Sequence, residues 1–151
     1  MIKHIWTVLC KESKLDAESN NISLMDSTEA LQFSVDDPNT NYEGTKNNLV
    51  PVKFEVVSLL FRPKSGKKQT IQLEYEFVDP NGKVTGKFGN TVEFLEAHKR
   101  MRNRMKLDTF ALNVSGDYWC KTYIKSGTST KRELVAEVPL TVEITINGKN
   151  V

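Results

Sequence analysis

The chain has only two cysteines, two histidines and no apolar run of membrane-spanning length. Each scarcity closes off a class of function. A zinc site needs about four ligands at tight spacing, and Cys10, Cys120, His4 and His98 are too scattered to supply one. With no stretch of about 18 apolar residues, no membrane span is expected. The opening Met1–Cys10 stretch is too short and too interrupted in its apolar part to be a secretory core. Leu9 also stands before Cys10 where a lipoprotein cleavage site wants a small residue. A cytoplasmic protein is therefore expected, with both cysteines reduced and buried as small hydrophobes. In such a chain the glycosylation patterns Asn21-Ile22-Ser23 and Asn113-Val114-Ser115 are chance matches.

Catalytic patterns are equally sparse. No Gly-x-Ser-x-Gly elbow occurs. Gly82–Phe88 has one residue too few between its glycines to be a phosphate loop. It also carries Phe88 where a magnesium-binding hydroxyl is needed. A site needs a base and a group to orient it, so His98, beside a basic run, is expected to be exposed rather than catalytic. The expectation is a non-enzyme with no cofactor, no metal and no small-molecule substrate.

What remains is β-strand pattern. At 151 residues the chain can bury a sizeable core as one domain, 1–151. Thr70–Val78 alternates cleanly, with Ile71, Leu73, Tyr75 and Phe77 on one face and Gln72, Glu74 and Glu76 on the other. Asp79-Pro80-Asn81-Gly82 is a strong turn. Lys83–Phe88 would return as a strand that Gly86 and Gly89 keep short or kinked. Ile2–Leu9 is apolar on both faces and suits a buried strand, whereas Lys11–Asn21 is polar and ends in a turn signal. Ile22–Met25 and Leu31–Val35 read as strand pieces, joined through Asp26–Glu29 by a bulge or a helical turn. Asp36–Asn48 reads as a long surface loop. The apolar phase changes inside Val50–Phe61, which implies a bulge or burial on both faces. Leu134, Ala136, Val138, Leu140, Val142, Ile144 and Ile146 line one face of a long strand, and Pro139 makes that strand an edge or a bulge there.

Val92–Val114 admits two readings. Ala97, Met101 and Met105 recur at helical spacing, but Thr91, Val92 and Phe94 favour strand and no capping box stands at the start. Strand is the expectation. It puts Arg100, Arg102, Arg104 and Lys106 in a row on one face, about 7 Å between neighbours. With Lys99 this row is the best candidate surface, able to meet phosphates or an acidic protein. The competing reading is a solvated face whose charges pair across to Glu74 and Glu76. A second candidate is Trp119 and Tyr123, alternating with Lys121; packing against the other sheet is the reading preferred for them. Residues 1–60 carry 5 Lys/Arg against 9 Asp/Glu, and residues 61–151 carry 16 against 10. That separation can steer a charged partner.

Val114-x-Gly116-x-Tyr118-x-Cys120 resembles the strand that leaves the tyrosine corner of immunoglobulin-like domains. The resemblance implies that Gly116, Tyr118 and Cys120 are structural, with the Tyr118 hydroxyl pinning backbone upstream. Val114 stands where an Asp is usual, and no cysteine lies in the earlier strand, so a disulfide-centred antibody-type domain is not expected. The whole chain also resembles a family of uncharacterised bacterial proteins of similar size that carry a domain-of-unknown-function label. The resembling pieces are Trp6–Cys10, Asn20–Leu24, His98–Arg104, Gly116-Asp117-Tyr118 and Glu137–Leu140. That likeness implies fold and bacterial or phage origin, not activity. The expected fold is an all-β, antiparallel, immunoglobulin-like β-sandwich. The expected function is a binding or assembly module with a protein partner, itself or another, and the alternative is a nucleic-acid-binding accessory protein using residues 99–106.

Overall fold

A computed structural model describes residues 1–35 and 48–151. The described strands are β1 (Lys3–Leu15), β2 (Ile22–Ser27), β3 (Ala30–Val35), β4 (Asn48–Phe61), β5 (Gln69–Val78), β6 (Val84–Phe94), β7 (Arg100–Leu112), β8 (Gly116–Ser126), β9 (Glu133–Ile146) and β10 (Lys149–Asn150). They form two sheets, one ordered β2-β1-β4-β7 and the other β10-β9-β8-β5-β6, with β3 added alongside β9. The fold is the all-β sandwich that the period-two patterning predicts. One pairing departs from the antiparallel rule: β3 runs parallel to β9, from Ala30 opposite Thr141 to Val35 opposite Ile146.

The core is the inner face of both sheets. Leu9, Val56 and Leu60 from the first sheet meet Leu73, Phe94 and Leu140 from the second, each at most 1 % exposed. Phe77 is its aromatic centre: Phe110 stands edge-on to it at 5.0 Å and Phe54 at 6.2 Å. β4 satisfies both halves of its expectation. Its pairing with β7 slips between Pro51 and Phe54, and Glu55, Val56, Val57 and Ser58 are buried in succession on both faces. Pro139 faces Trp119 of β8. On its other side β9 gains β3 only from Thr141 onward, so the proline's missing donor falls where no ladder needs it. The Leu134–Ile146 row is broken at its start, because β9 slips against β8 between Ala136 and Leu134 and leaves Leu134 exposed.

Several expectations are corrected. The return strand after the Asp79–Gly82 turn, expected to be short or kinked, is not short. β6 runs through Gly86 and Gly89 to Phe94. Gly89 is what allows it to pair closely with β5, since a Cβ there would collide with the Leu73 carbonyl oxygen. Asp26–Glu29 is neither a bulge nor a helical turn. Asp26, at φ 53°, and Ser27 end β2, and Thr28-Glu29 carry the chain from the first sheet to the second. Lys11–Leu15, read as polar, continues β1 into a hairpin with β2. The expected Asp36–Asn48 loop lies outside the described residues apart from Asn48, which opens β4.

Candidate functional site

β7 is a strand, and its alternation turns Met101, Asn103 and Met105 inward and Arg100, Arg102, Arg104 and Lys106 outward. The outward row is not presented as a ladder of free charges. The Arg104 guanidinium donates to Ser13 Oγ at 2.7 Å and to the Ser13 carbonyl at 2.8 Å. It also lies 3.9 Å from Glu55. Arg102 donates to the Asn20 carbonyl at 2.8 Å, and Arg100 rests over the Phe61 ring at 5.5 Å. Ser13 and Asn20 belong to the β1–β2 hairpin, and β4 lies between β1 and β7. These bonds therefore pull the hairpin across the outer face of the sheet. On this outer face Cys10, Glu55 and Val57 are buried although they point away from the core. The hairpin tip is held by Asp16, whose side chain accepts from the Glu18 and Ser19 amides.

Glu74 and Glu76 are not the partners of that row. They lie on β5, in the other sheet. Arg132 donates to both, and Lys87 lies 3.5 Å from Glu76. Burial alone would raise the Glu76 carboxyl, but the hydrogen bond and charge of Arg132, with Lys87, outweigh it and hold it below the usual carboxylate range. The same face corrects the expected core packing of Trp119 and Tyr123. Both point outward on β8: Trp119 is 41 % exposed, and Tyr123 carries the Arg132 guanidinium 4.0 Å above its ring. Lys121 pairs with Glu137 at 3.3 Å. This face is cross-braced by its own charges.

Gly116, at φ 139°, turns the chain into β8. The buried Tyr118 hydroxyl then donates to the Val114 carbonyl at 2.9 Å and accepts from the Asn113 amide at 3.0 Å. Asn113 also donates to Asp79 at 2.7 Å, tying this corner to the β5–β6 turn. Cys120 is fully buried, and burial pushes its thiol up to about 12. Cys10 is raised too, by burial first and then by Glu55.

Two features escaped the sequence reading. The first is a polar chain through the core. Tyr75 donates to Ser58 Oγ at 2.8 Å and accepts from the Asn103 amide at 3.0 Å. Ser58 meets Thr7 at 2.7 Å, and Thr7 reaches Thr122 at 3.3 Å and the His4 ring at 2.7 Å. The chain joins both sheets. Burial outweighs the Ser58 and Asn103 bonds and lifts the Tyr75 hydroxyl to about 12, so it remains a donor. The visible signal was Asn103, a polar residue in the inward phase between two methionines.

The second is the open side of the sandwich. β6 and β7 are each the last strand of a sheet. Between them lies a groove of about 220 Å³, lined by Phe88 from β6, Leu107, Phe110 and Ala111 from β7, and Leu49 from β4. Leu49 is 68 % exposed at its rim. Phe88 forms its floor, stacked on Tyr75 at 5.2 Å and Phe77 at 5.9 Å. Among the described strands neither has a further hydrogen-bonded neighbour on its outer edge.

No family model matches the chain. No curated protein sequence matches it. Among solved structures, the chain is similar to an immunoglobulin-like protein from Pseudomonas aeruginosa at 14 % identity and a TM-score of 0.37. The match covers 94 % of this chain and 96 % of the other.

Proposed function

We propose that the protein is a non-enzymatic assembly module that pairs with a second copy of itself through the open side of the sandwich. The observation that carries this is the self-complementary character of the groove between β6 and β7. A two-fold interface needs knob and hole on the same patch. Here the exposed knob, Leu49, stands at the rim of the apolar hole made by Phe88, Leu107 and Phe110. The flanking strand edges supply main-chain hydrogen bonding to an approaching strand. In the same proposal the chain is a small bacterial protein of the resembling family, working in the cytoplasm. Lys3–Cys10, most of the Met1–Cys10 stretch tested as an export signal, lies within β1 of the sandwich, which supports this reading.

Light scattering behind a sizing column tests the proposal. A dimer is expected, falling to monomer in Leu49→Asp, with unchanged far-UV circular dichroism. A wild-type monomer up to the solubility limit would overturn self-assembly. The alternative, nucleic acid bound along Lys99–Lys106, has less support, because Arg102 and Arg104 are engaged by the β1–β2 hairpin.

A further inference from the structure

Arg62, just past the end of β4, is a buried charge. It is 4 % exposed, and its guanidinium lies 5.5 Å over the Phe94 ring. Buried charges are normally paired with an opposite charge. Among the described residues Arg62 has no carboxylate within ion-pair distance. It donates instead to four backbone carbonyls: Lys67 at 2.9 Å, Leu95 at 2.6 Å, Glu96 at 3.1 Å and His98 at 3.0 Å. Its Nε is buried with no partner. Four neutral acceptors fix the guanidinium in place and join the β4–β5 and β6–β7 loops, but none of them carries a formal negative charge.

Beside it opens a pocket of about 580 Å³ lined by Arg62, Lys64, Gly66, Lys67 and Lys68, with no acidic residue in its wall. Lys68 is paired with Glu93 at 3.0 Å. Among the described residues Lys64 and Lys67 have no acidic partner. One buried and two unpaired cations around an open pocket make a positive potential that a compact, multiply charged anion would relieve.

From this geometry we infer a binding site for a phosphate-type anion in the loops at this end of the sandwich. Arg62 supplies the fixed field, and Lys64 and Lys67 supply the movable hydrogen-bond donors. A single carboxylate carries too little charge to match three cations, whereas a diphosphate group carries two or more charges and an acceptor oxygen for each ammonium. The site is separate from the β6–β7 groove, so it stands or falls independently of self-assembly.

Calorimetric titration of the intact protein with inorganic pyrophosphate at low salt tests the inference, alongside a short single-stranded oligonucleotide. Saturable one-to-one binding of pyrophosphate is expected, weakening with salt and falling about tenfold or more in Lys64→Ala/Lys67→Ala. The oligonucleotide, if it binds, should be displaced by pyrophosphate. Absence of pyrophosphate binding would overturn the site, as would equal affinity in the double variant. Oligonucleotide binding that pyrophosphate does not displace would also overturn it, since a diffuse cationic surface would then be the cause. Exposed Lys64 and Lys67 can be replaced without disturbing the Arg62 bonds, so misfolding does not obscure the outcome.

Discussion

Replacing Tyr75 by Phe removes one oxygen atom from the centre of the sandwich and tests whether the internal polar chain helps hold the two sheets together. The ring keeps its packing on Phe88. Two hydrogen bonds disappear, to Ser58 and from Asn103. Ser58 keeps its bond to Thr7, so its loss is that of one ordinary buried bond, about 1 kcal/mol. Asn103 is 4 % exposed and is left with a buried donor lacking an acceptor, which costs about 1–3 kcal/mol. The sum is about 2–4 kcal/mol, or a fall in Tm of roughly 5–15 °C for a domain of this size. Urea unfolding followed by tryptophan fluorescence measures it, with the midpoint moving and the slope unchanged. A second variant isolates the cause. In the Tyr75→Phe background, Asn103→Leu deletes the orphaned donor and should cost far less than it does alone, a coupling of about 1 kcal/mol or more. A loss below about 0.5 kcal/mol for Tyr75→Phe, or additivity of the two changes, would refute the reasoning.

Two further outcomes follow from the same structure. Burial holds the His4 imidazole below its ordinary value of 6.5, so the folded state prefers it neutral and the unfolded chain binds the extra proton. Stability should fall as pH drops through 6.5 and level off below the folded-state value. His4→Gln should flatten that segment of a plot of urea midpoint against pH, and an unchanged slope would contradict it. Gly116 and Gly127 both have positive φ, but only at Gly116 would an added Cβ also meet Pro80, at 2.7 Å. Gly116→Ala is therefore expected to lose about 1–3 kcal/mol and Gly127→Ala only about 1 kcal/mol; equal losses in chemical denaturation would discount the Pro80 contact.

The fold was legible wherever one face of a strand is wet and the other dry. Thr70–Val78 alternates because β5 turns Ile71, Leu73, Tyr75 and Phe77 to the core and Gln72, Glu74 and Glu76 to the charge-braced outer face. Legibility failed where burial came from somewhere else in the chain. Glu55 and Cys10 lie on an outer face, beside which Arg102 and Arg104 hold the β1–β2 hairpin, and nothing local in the sequence announces a hairpin that reaches across a neighbouring strand. The arginine row was visible as a row. Its engagement was not, because Ser13 and Asn20 lie more than 80 residues away from Arg104 and Arg102. Trp119 was misplaced because large aromatics are so often interior, although its odd position beside Tyr118 and Cys120 already set it on the opposite face. Nothing local in the sequence marks Arg62 as buried: it stands before a proline in a loop that already holds three lysines.

β3 belongs to the first quarter of the chain, yet it is completed by β9, 111 residues further on at Ala30–Thr141. Closing so long a loop is slow, because the entropy is lost before any contact repays it. During synthesis, at about 5–20 residues per second, β3 emerges many seconds before its partner and waits with its backbone unpaired. Leu31 and Phe33, which pack against the finished core, wait with it. The parallel pairing thus sets the order of events on the ribosome: the second sheet is finished at this edge only after the last long strand has been made, and until then the nascent chain must be kept from its neighbours.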